Sequence, residues 1–252
     1  EQGYNIIFGT TFGYIDAMAE MAEEYPDVIF LHCSGYLKND TNFGNYFGKM
    51  YQPRYLSGLA AGAMTESNKI GYVAAFPIPE VIRGINAFAT GVKEVNPDAT
   101  VEVVWTFTWF GPEAETQAAN ALLETGVDVL AQHQDSPSTG IAAEAAGAKW
   151  ISYNTAYGQD AAPGAFVTAP VWDWGPYYVQ VVESIVNDEF VAEAYWGGME
   201  TGLVSLYELS SDVPADTATL ISERTEEIIS GSFDPPIVED EFIDNVIGTV
   251  NP

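Results

Sequence analysis

Short apolar runs alternate along the chain with stretches whose apolar residues recur every three or four positions. The runs at 4–9, 28–33, 69–74, 100–107, 127–132, 149–153, 166–169 and 203–207 predict strands. The stretches 14–23, 52–64, 79–95, 112–125, 138–146, 176–186 and 215–230 predict helices. Strand and helix in repetition predict an α/β chain whose parallel sheets carry helices on both faces. The strands read as near-continuous apolar runs, as coverage on both faces requires. The punctuation agrees. Pro79 suits the first turn of its helix and Asn96-Pro97 ends it. Gly126 and Gly147 follow helical stretches, where a left-handed cap is needed. No internal repeat or low-complexity segment interrupts the pattern.

Open parallel sheets bind ligands at the carboxyl ends of their strands. The loops expected there are 10–14, 75–80, 108–111, 133–137, 154–157 and 171–174, and most carry an aromatic residue beside a polar one. Flat apolar surface with a few orienting polar groups suits a planar heterocycle or a sugar.

Composition narrows the partners. The chain has 252 residues, 47% of them hydrophobic, enough for one large domain or two modest lobes. Thirty-six acids against 8 bases give a formal charge of −28. Such a surface repels nucleic acid and anionic membranes. The acids are scattered, which fits either adaptation to a salty milieu or plain solubility. Aromatics at 13% argue against disorder. No apolar run is long enough for a membrane helix. Glu1-Gln2-Gly3-Tyr4 has neither a basic nor an apolar leader region, so a signal peptide is expected to have been removed or to lie outside the chain. The lone Cys33 lies in an apolar run and reads as a buried, inert thiol.

The stretch Ser67 to Phe88, with its Phe76-Pro77-Ile78-Pro79-Glu80 core, resembles the basic membrane protein (PnrA-like) family of ABC transporter substrate-binding proteins. So do 132–137, Trp174-Gly175-Pro176-Tyr177-Tyr178 and Tyr195-Trp196-Gly197-Gly198. The resemblance covers nearly the whole chain. It implies a type I periplasmic-binding-protein fold, two Rossmann-like lobes with parallel sheets joined by a multi-strand hinge. The lobes are expected at 1–65 with 173–192, and at 66–172 with 193–252, with crossings near Met64, Trp172 and Tyr195. It also implies a purine base or nucleoside held between the lobes, adenine favoured. The partner implied is a membrane permease, and the setting is the periplasm or outer face of the cell membrane. A lipid anchor would lie in residues outside this chain. Family members carry a further segment before the position of Glu1, with the first strand and helix of lobe 1, so the chain is expected to lack them.

Eight residues are candidates for the ligand. Phe12 is implied by the resemblance to pack on a purine, with Tyr14 beside it; lobe-interface packing is the other reading. Phe76 and Trp109 follow strands of the second lobe and could stack on a base, or simply fill loops. Asp135 could accept from an exocyclic amine, a ring N–H or ribose hydroxyls, or cap the next helix. Asn154 offers donor and acceptor together, which suits a purine edge, or is a turn residue. Arg83 is a cleft residue or the partner of nearby Glu80. Trp172 and Trp174 alternate, so one should face the cleft and the other the core; Trp172 is the choice for the cleft.

Little supports catalysis. There is no G-x-S-x-G elbow, phosphate-binding loop or G-x-G-x-x-G motif. His32 and His133 are far apart, and His133 near Asp135 has no nucleophile motif with it. No metal-ligand spacing or cofactor motif occurs. A monomeric importer receptor is the expectation, with a nucleoside hydrolase-like enzyme or a ligand sensor on the same architecture as alternatives.

Overall fold

A computed structural model describes residues 3–248. The strands are β1 (Ile6–Gly9), β2 (Ile29–Cys33), β3 (Phe43–Gly48), β4 (Lys69–Ala74), β5 (Thr100–Trp105), β6 (Val129–His133), β7 (Lys149–Ile151), β8 (Phe166–Thr168), β9 (Pro170–Trp172), β10 (Ala194–Gly197), β11 (Val204–Leu206) and β12 (Val246–Ile247). The helices are α1 (Ile15–Glu24), α2 (Tyr51–Met64), α3 (Pro79–Val95), α4 (Pro112–Glu124), α5 (Ser138–Ala146), α6 (Gly158–Ala161), α7 (Gly175–Val186) and α8 (Ala215–Ser230). The chain divides into two compact units. One runs up to Lys49 and includes Asp173–Leu203; the other comprises Met50–Trp172 and the chain from Val204 onward.

The first unit is a parallel sheet in the order β1-β2-β3-β10. Met18 and Ala22 of α1 pack on Phe30 and Phe43. The composition of β3, Phe43-Gly44-Asn45-Tyr46-Phe47-Gly48, reads as loop, yet the strand is paired on both sides. Its Gly44 lets the backbone of Glu193 approach, since a Cβ there would come within 2.8 Å of that carbonyl. Pairing on both edges outweighs weak β-propensity.

The second unit is a larger parallel sheet in the order β12-β5-β4-β6-β7-β8, with a separate antiparallel pair, β9 and β11. Leu122 of α4, Leu130, Trp150 and Phe166 form much of its core. Helix α2 is buried along most of its length and lies tightly on α3. Glycines permit the approach: a Cβ at Gly58 would meet the Phe88 carbonyl at 2.0 Å, and one at Gly91 the Tyr55 carbonyl at 2.1 Å. This contact draws α2 into the second unit, whereas the expected lobe boundary lay after residue 65. Pairing of β10 with β3 likewise holds residues 193–203 in the first unit. The chain passes between units at 49–50, 172–173 and 203–204.

Candidate functional site

The carboxyl ends of β4, β5, β6 and β7 lie side by side because these strands are neighbours in one parallel sheet. Their loops bring together four of the residues singled out from sequence, and Trp172 at the end of β9 joins them as a fifth. Phe76 after β4 and Trp109 after β5 have ring centroids 5.2 Å apart. The Asp135 backbone N–H donates to the Trp109 carbonyl at 3.0 Å, tying the loop after β6 to the loop after β5. Asn154, after β7, donates through Nδ2 to Asp135 Oδ1 at 2.6 Å, and its Oδ1 accepts from the Trp172 indole N–H at 3.1 Å. The amide is therefore held at both ends. Its backbone is left-handed (φ 67°), a conformation that Asn tolerates better than most residues. Asp135 does not cap α5, whose N-cap is Pro137. Loss of hydration raises the Asp135 pKa, against the pull of His133 and of the Asn154 hydrogen bond. One carboxylate oxygen and one amide N–H remain for a ligand.

An aromatic read as a strand end joins this face. Phe107 is 54% exposed and packs edge-on to Phe76 at 6.4 Å. Its φ is 56°, uncommon for a bulky residue and a form of strain that clusters at functional sites.

Beneath the loops lies a charged base. Arg54 of α2 is fully buried, donates through Nη1 to the Gln132 carbonyl at 2.7 Å, and lies 3.8 Å from the centroid of the Tyr153 ring. Glu80, in the first turn of α3, meets His133 Nε2 at 3.2 Å. Burial would raise the Glu80 pKa, but His133, Arg83 and Arg54 outweigh it and hold the carboxyl below its ordinary value. Burial, with Arg54 adding to it, pulls the His133 pKa down against the attraction of Glu80. The base thus sets a guanidinium and a carboxylate near one imidazole, whose protonation burial disfavours. Each member adjoins a loop residue of the face: Glu80 follows the Phe76 loop, His133 precedes Asp135 by two positions, and Tyr153 precedes Asn154 directly.

Glu115 of α4 adds a second brace. It is buried, accepts from the Gly111 N–H at 3.0 Å and from Ser136 Oγ at 2.5 Å, and so staples the loops of Trp109 and Asp135. Burial raises its pKa, with the two hydrogen bonds opposing. A cavity of about 130 Å³ opens beside the face, with Asp135, Asn154 and Tyr157 on its wall. The pattern analysis missed this base and brace. The available signal was rarity: Arg54 is one of 8 lysines and arginines, set in an otherwise uncharged helix.

Arg83 is engaged by Glu239 at 2.6 Å, which ties it to the C-terminal segment. In the first unit, Phe12 and Tyr14 form a single 3-10 turn after β1 and are 38% and 54% exposed. That turn is held from below by buried His32, whose Nε2 donates to the Thr11 carbonyl at 2.8 Å. Trp174 packs in the first unit against Tyr46 at 5.3 Å and Tyr178 at 6.3 Å, while Trp172 belongs to the second. Cys33 is half-buried at the end of β2, where β1 has stopped pairing at His32 and only β3 still flanks the strand. Among the described residues, no cluster of three His, Cys, Asp or Glu could hold a metal, and no helix is long and apolar enough to cross a membrane.

The chain matches, over residues 1–234, the family model described as "ABC transporter substrate-binding protein PnrA-like". It is 46% identical over 230 residues to a protein of Haloferax volcanii named "Putative ABC transporter glucose-binding protein", an alignment covering 91% of this chain and 58% of that protein. It is 37% identical over 238 residues to a purine-binding protein of Brucella abortus, covering 92% and 66%. The chain therefore spans less than two thirds of the length of either relative. A crystal structure of an ABC transporter solute-binding protein from Aeropyrum pernix matches with a TM-score of 0.79 over 94% of this chain and 79% of that one; at 18% identity the likeness is one of fold.

Proposed function

The chain belongs to the PnrA-like family of ABC transporter substrate-binding proteins, and on that footing we propose that it captures a purine, adenine in preference, for delivery to a membrane permease. The observation that carries this reading is the Asp135–Asn154 pair, a carboxylate acceptor beside an amide donor, fixed by Trp172. Adenine presents the complementary edge, an amino group that donates next to a ring nitrogen that accepts. A 6-oxopurine would turn its carbonyl oxygen toward the carboxylate. Phe76, Trp109 and Phe107 supply flat apolar surface beside that edge, and stacking on an aromatic is worth about 1–3 kcal/mol per base. The purine-binding name of the Brucella relative points the same way. Capture without turnover, outside the cytoplasm, completes the proposal.

A monosaccharide is the second reading, favoured by the name of the Haloferax relative. Sugar hydroxyls both donate and accept, so the same pair would serve them. Calorimetric titration with adenine, hypoxanthine, adenosine and D-glucose separates the two. Adenine is expected to bind tightest, with hypoxanthine weaker by about 10- to 100-fold, the effect of one polar group that the ligand covers and leaves unpaired. Binding of glucose with silence toward every purine would overturn the purine reading. Release of free base from adenosine would overturn capture without turnover.

A further inference from the structure

The first unit contains a cavity of about 220 Å³ beside α7 and the segment leading into β10, and none of its lining residues belongs to the face described above. Its apolar wall includes Leu31, Val181 and Phe190. Tyr177 and Tyr195, with ring centroids 4.5 Å apart, line another side. Glu189 and Glu193 also line it, as exposed residues, with Gln180 and Ser184 adding neutral polar groups. We propose that this cavity binds a small primary alkylammonium ion, its ammonium at the two glutamates and Tyr177 and its alkyl chain against the apolar wall.

Three observations carry this. First, neither glutamate side chain makes an ion pair or hydrogen bond among the described residues. Cations are scarce: six of the 8 lysines and arginines pair with other carboxylates, Lys69 donates to the Thr125 carbonyl, and Arg54 is buried in the second unit. Second, Tyr177 is only 6% exposed, yet its hydroxyl has no hydrogen-bond partner among the described residues. The hydroxyl is not fully enclosed, and Tyr177 lines the cavity. Burial and then the charge of Glu193 push its pKa up, which keeps the phenol protonated and its oxygen lone pairs available to an ammonium donor. Third, the volume lies below the roughly 300 Å³ at which drug-sized sites begin, so the ligand is small. Two carboxylates in a partly apolar wall do not make a metal cage, and no metal-holding cluster occurs among the described residues. A charged head with an apolar tail matches both halves of the lining.

The test is titration of the isotopically labelled chain with n-butylammonium chloride at constant ionic strength, followed by NMR. Saturable shifts are expected, concentrated on α7 and residues 187–195. Glu193→Gln and Tyr177→Phe are each expected to weaken binding about fivefold, the worth of one exposed ion contact or one hydrogen bond. Tetramethylammonium chloride, which has no N–H, and n-butanol, which has no charge, should bind more weakly. Shifts that do not saturate, that sodium chloride or tetramethylammonium reproduces in full, or that the exposed double variant Glu189→Gln/Glu193→Gln leaves unchanged would overturn the site. Purine affinity should be indifferent to all these variants, so this result stands apart from the fate of the purine reading.

Discussion

Each unit buries one histidine at the carboxyl end of a strand, and the two units use it differently. In the first, His32 of β2 holds the turn of Phe12 and Tyr14 through hydrogen bonding to backbone carbonyl oxygen, that of Thr11 at 2.8 Å. In the second, His133 of β6 meets the Glu80 carboxylate, and Arg54 beneath it ties the strand end to Tyr153. One loop is fixed by a neutral contact that any donor of similar reach could supply. The other rests on buried charges that must stay matched. A buried charge left without its partner is costly, so the second arrangement tolerates far less change.

The comparison is broken most severely at Arg54. Arg54→Met removes the guanidinium but keeps much of its apolar stem, so the Gln132 carbonyl loses its donor, the Tyr153 ring loses its cation, and Glu80 keeps only His133 and Arg83 to hold its charge. Urea unfolding should show a loss of about 1.5–3 kcal/mol, the usual worth of a hydrogen bond made by a charged group. His32→Gln, whose amide can still donate to the Thr11 carbonyl, should lose only about 1 kcal/mol. Equal losses at the two positions would mean that the charges do not distinguish the units.

Asp135→Asn sharpens the comparison at the face above the base. It preserves shape and replaces the free acceptor with a donor. Adenine affinity should fall about 10- to 100-fold by calorimetry, with little change in the unfolding midpoint, since the carboxyl is exposed and meets its partner only at the surface. An accompanying collapse of stability would place Asp135 in the structural base instead.

The smallest effect is on pH dependence. Burial lowers the pKa of both histidines, opposed at His32 by the carbonyls of Thr11 and Phe12, and at His133 by Glu80, with Arg54 reinforcing the fall. The unfolded chain therefore takes up these protons first as the pH drops. The stability contributed by the neutral rings is complete above the unfolded value of about 6.5 and is lost as pH falls from there toward the folded values. The slope is at most about 1.4 kcal/mol per pH unit for each histidine. Unfolding midpoints measured between about pH 7.5 and pH 5.5 should decline less steeply in His133→Gln and in His32→Gln than in the parent. A slope unchanged in the double variant would remove the histidines from the account.

Much of the fold was legible because periodicity and punctuation report local conformation. The observed bounds of β4, α3, α5 and α8 coincide with those expected from the pattern. Strand β3 was not legible, since its glycines and asparagine look like loop until β2 and β10 pair with it on both edges. The placement of α2 was equally hidden, because an amphipathic pattern does not say which neighbour a helix meets. On the candidate site, Phe76, Trp109, Asp135, Asn154 and Trp172 could be nominated because each follows or ends a recognisable strand. Arg83 could also be nominated, but only the structure showed that Glu239, near the other end of the chain, engages it.

By itself, then, the sequence determined the order of eight strands and seven helices, but not β3, β9, β10, β12 or α6, together with the parallel architecture and the loops that carry the aromatic and polar groups. These follow from the local spacing of apolar residues and from glycine and proline. Only the tertiary structure decided that Asp135 and Asn154 share a hydrogen bond, that Trp172 orients the pair, and that Arg54, Glu80 and His133 form one base under them. Those facts depend on strands adjacent in space but distant along the chain. The free energy of matching a buried charge or amide resides in that proximity, and no spacing rule along the chain contains it.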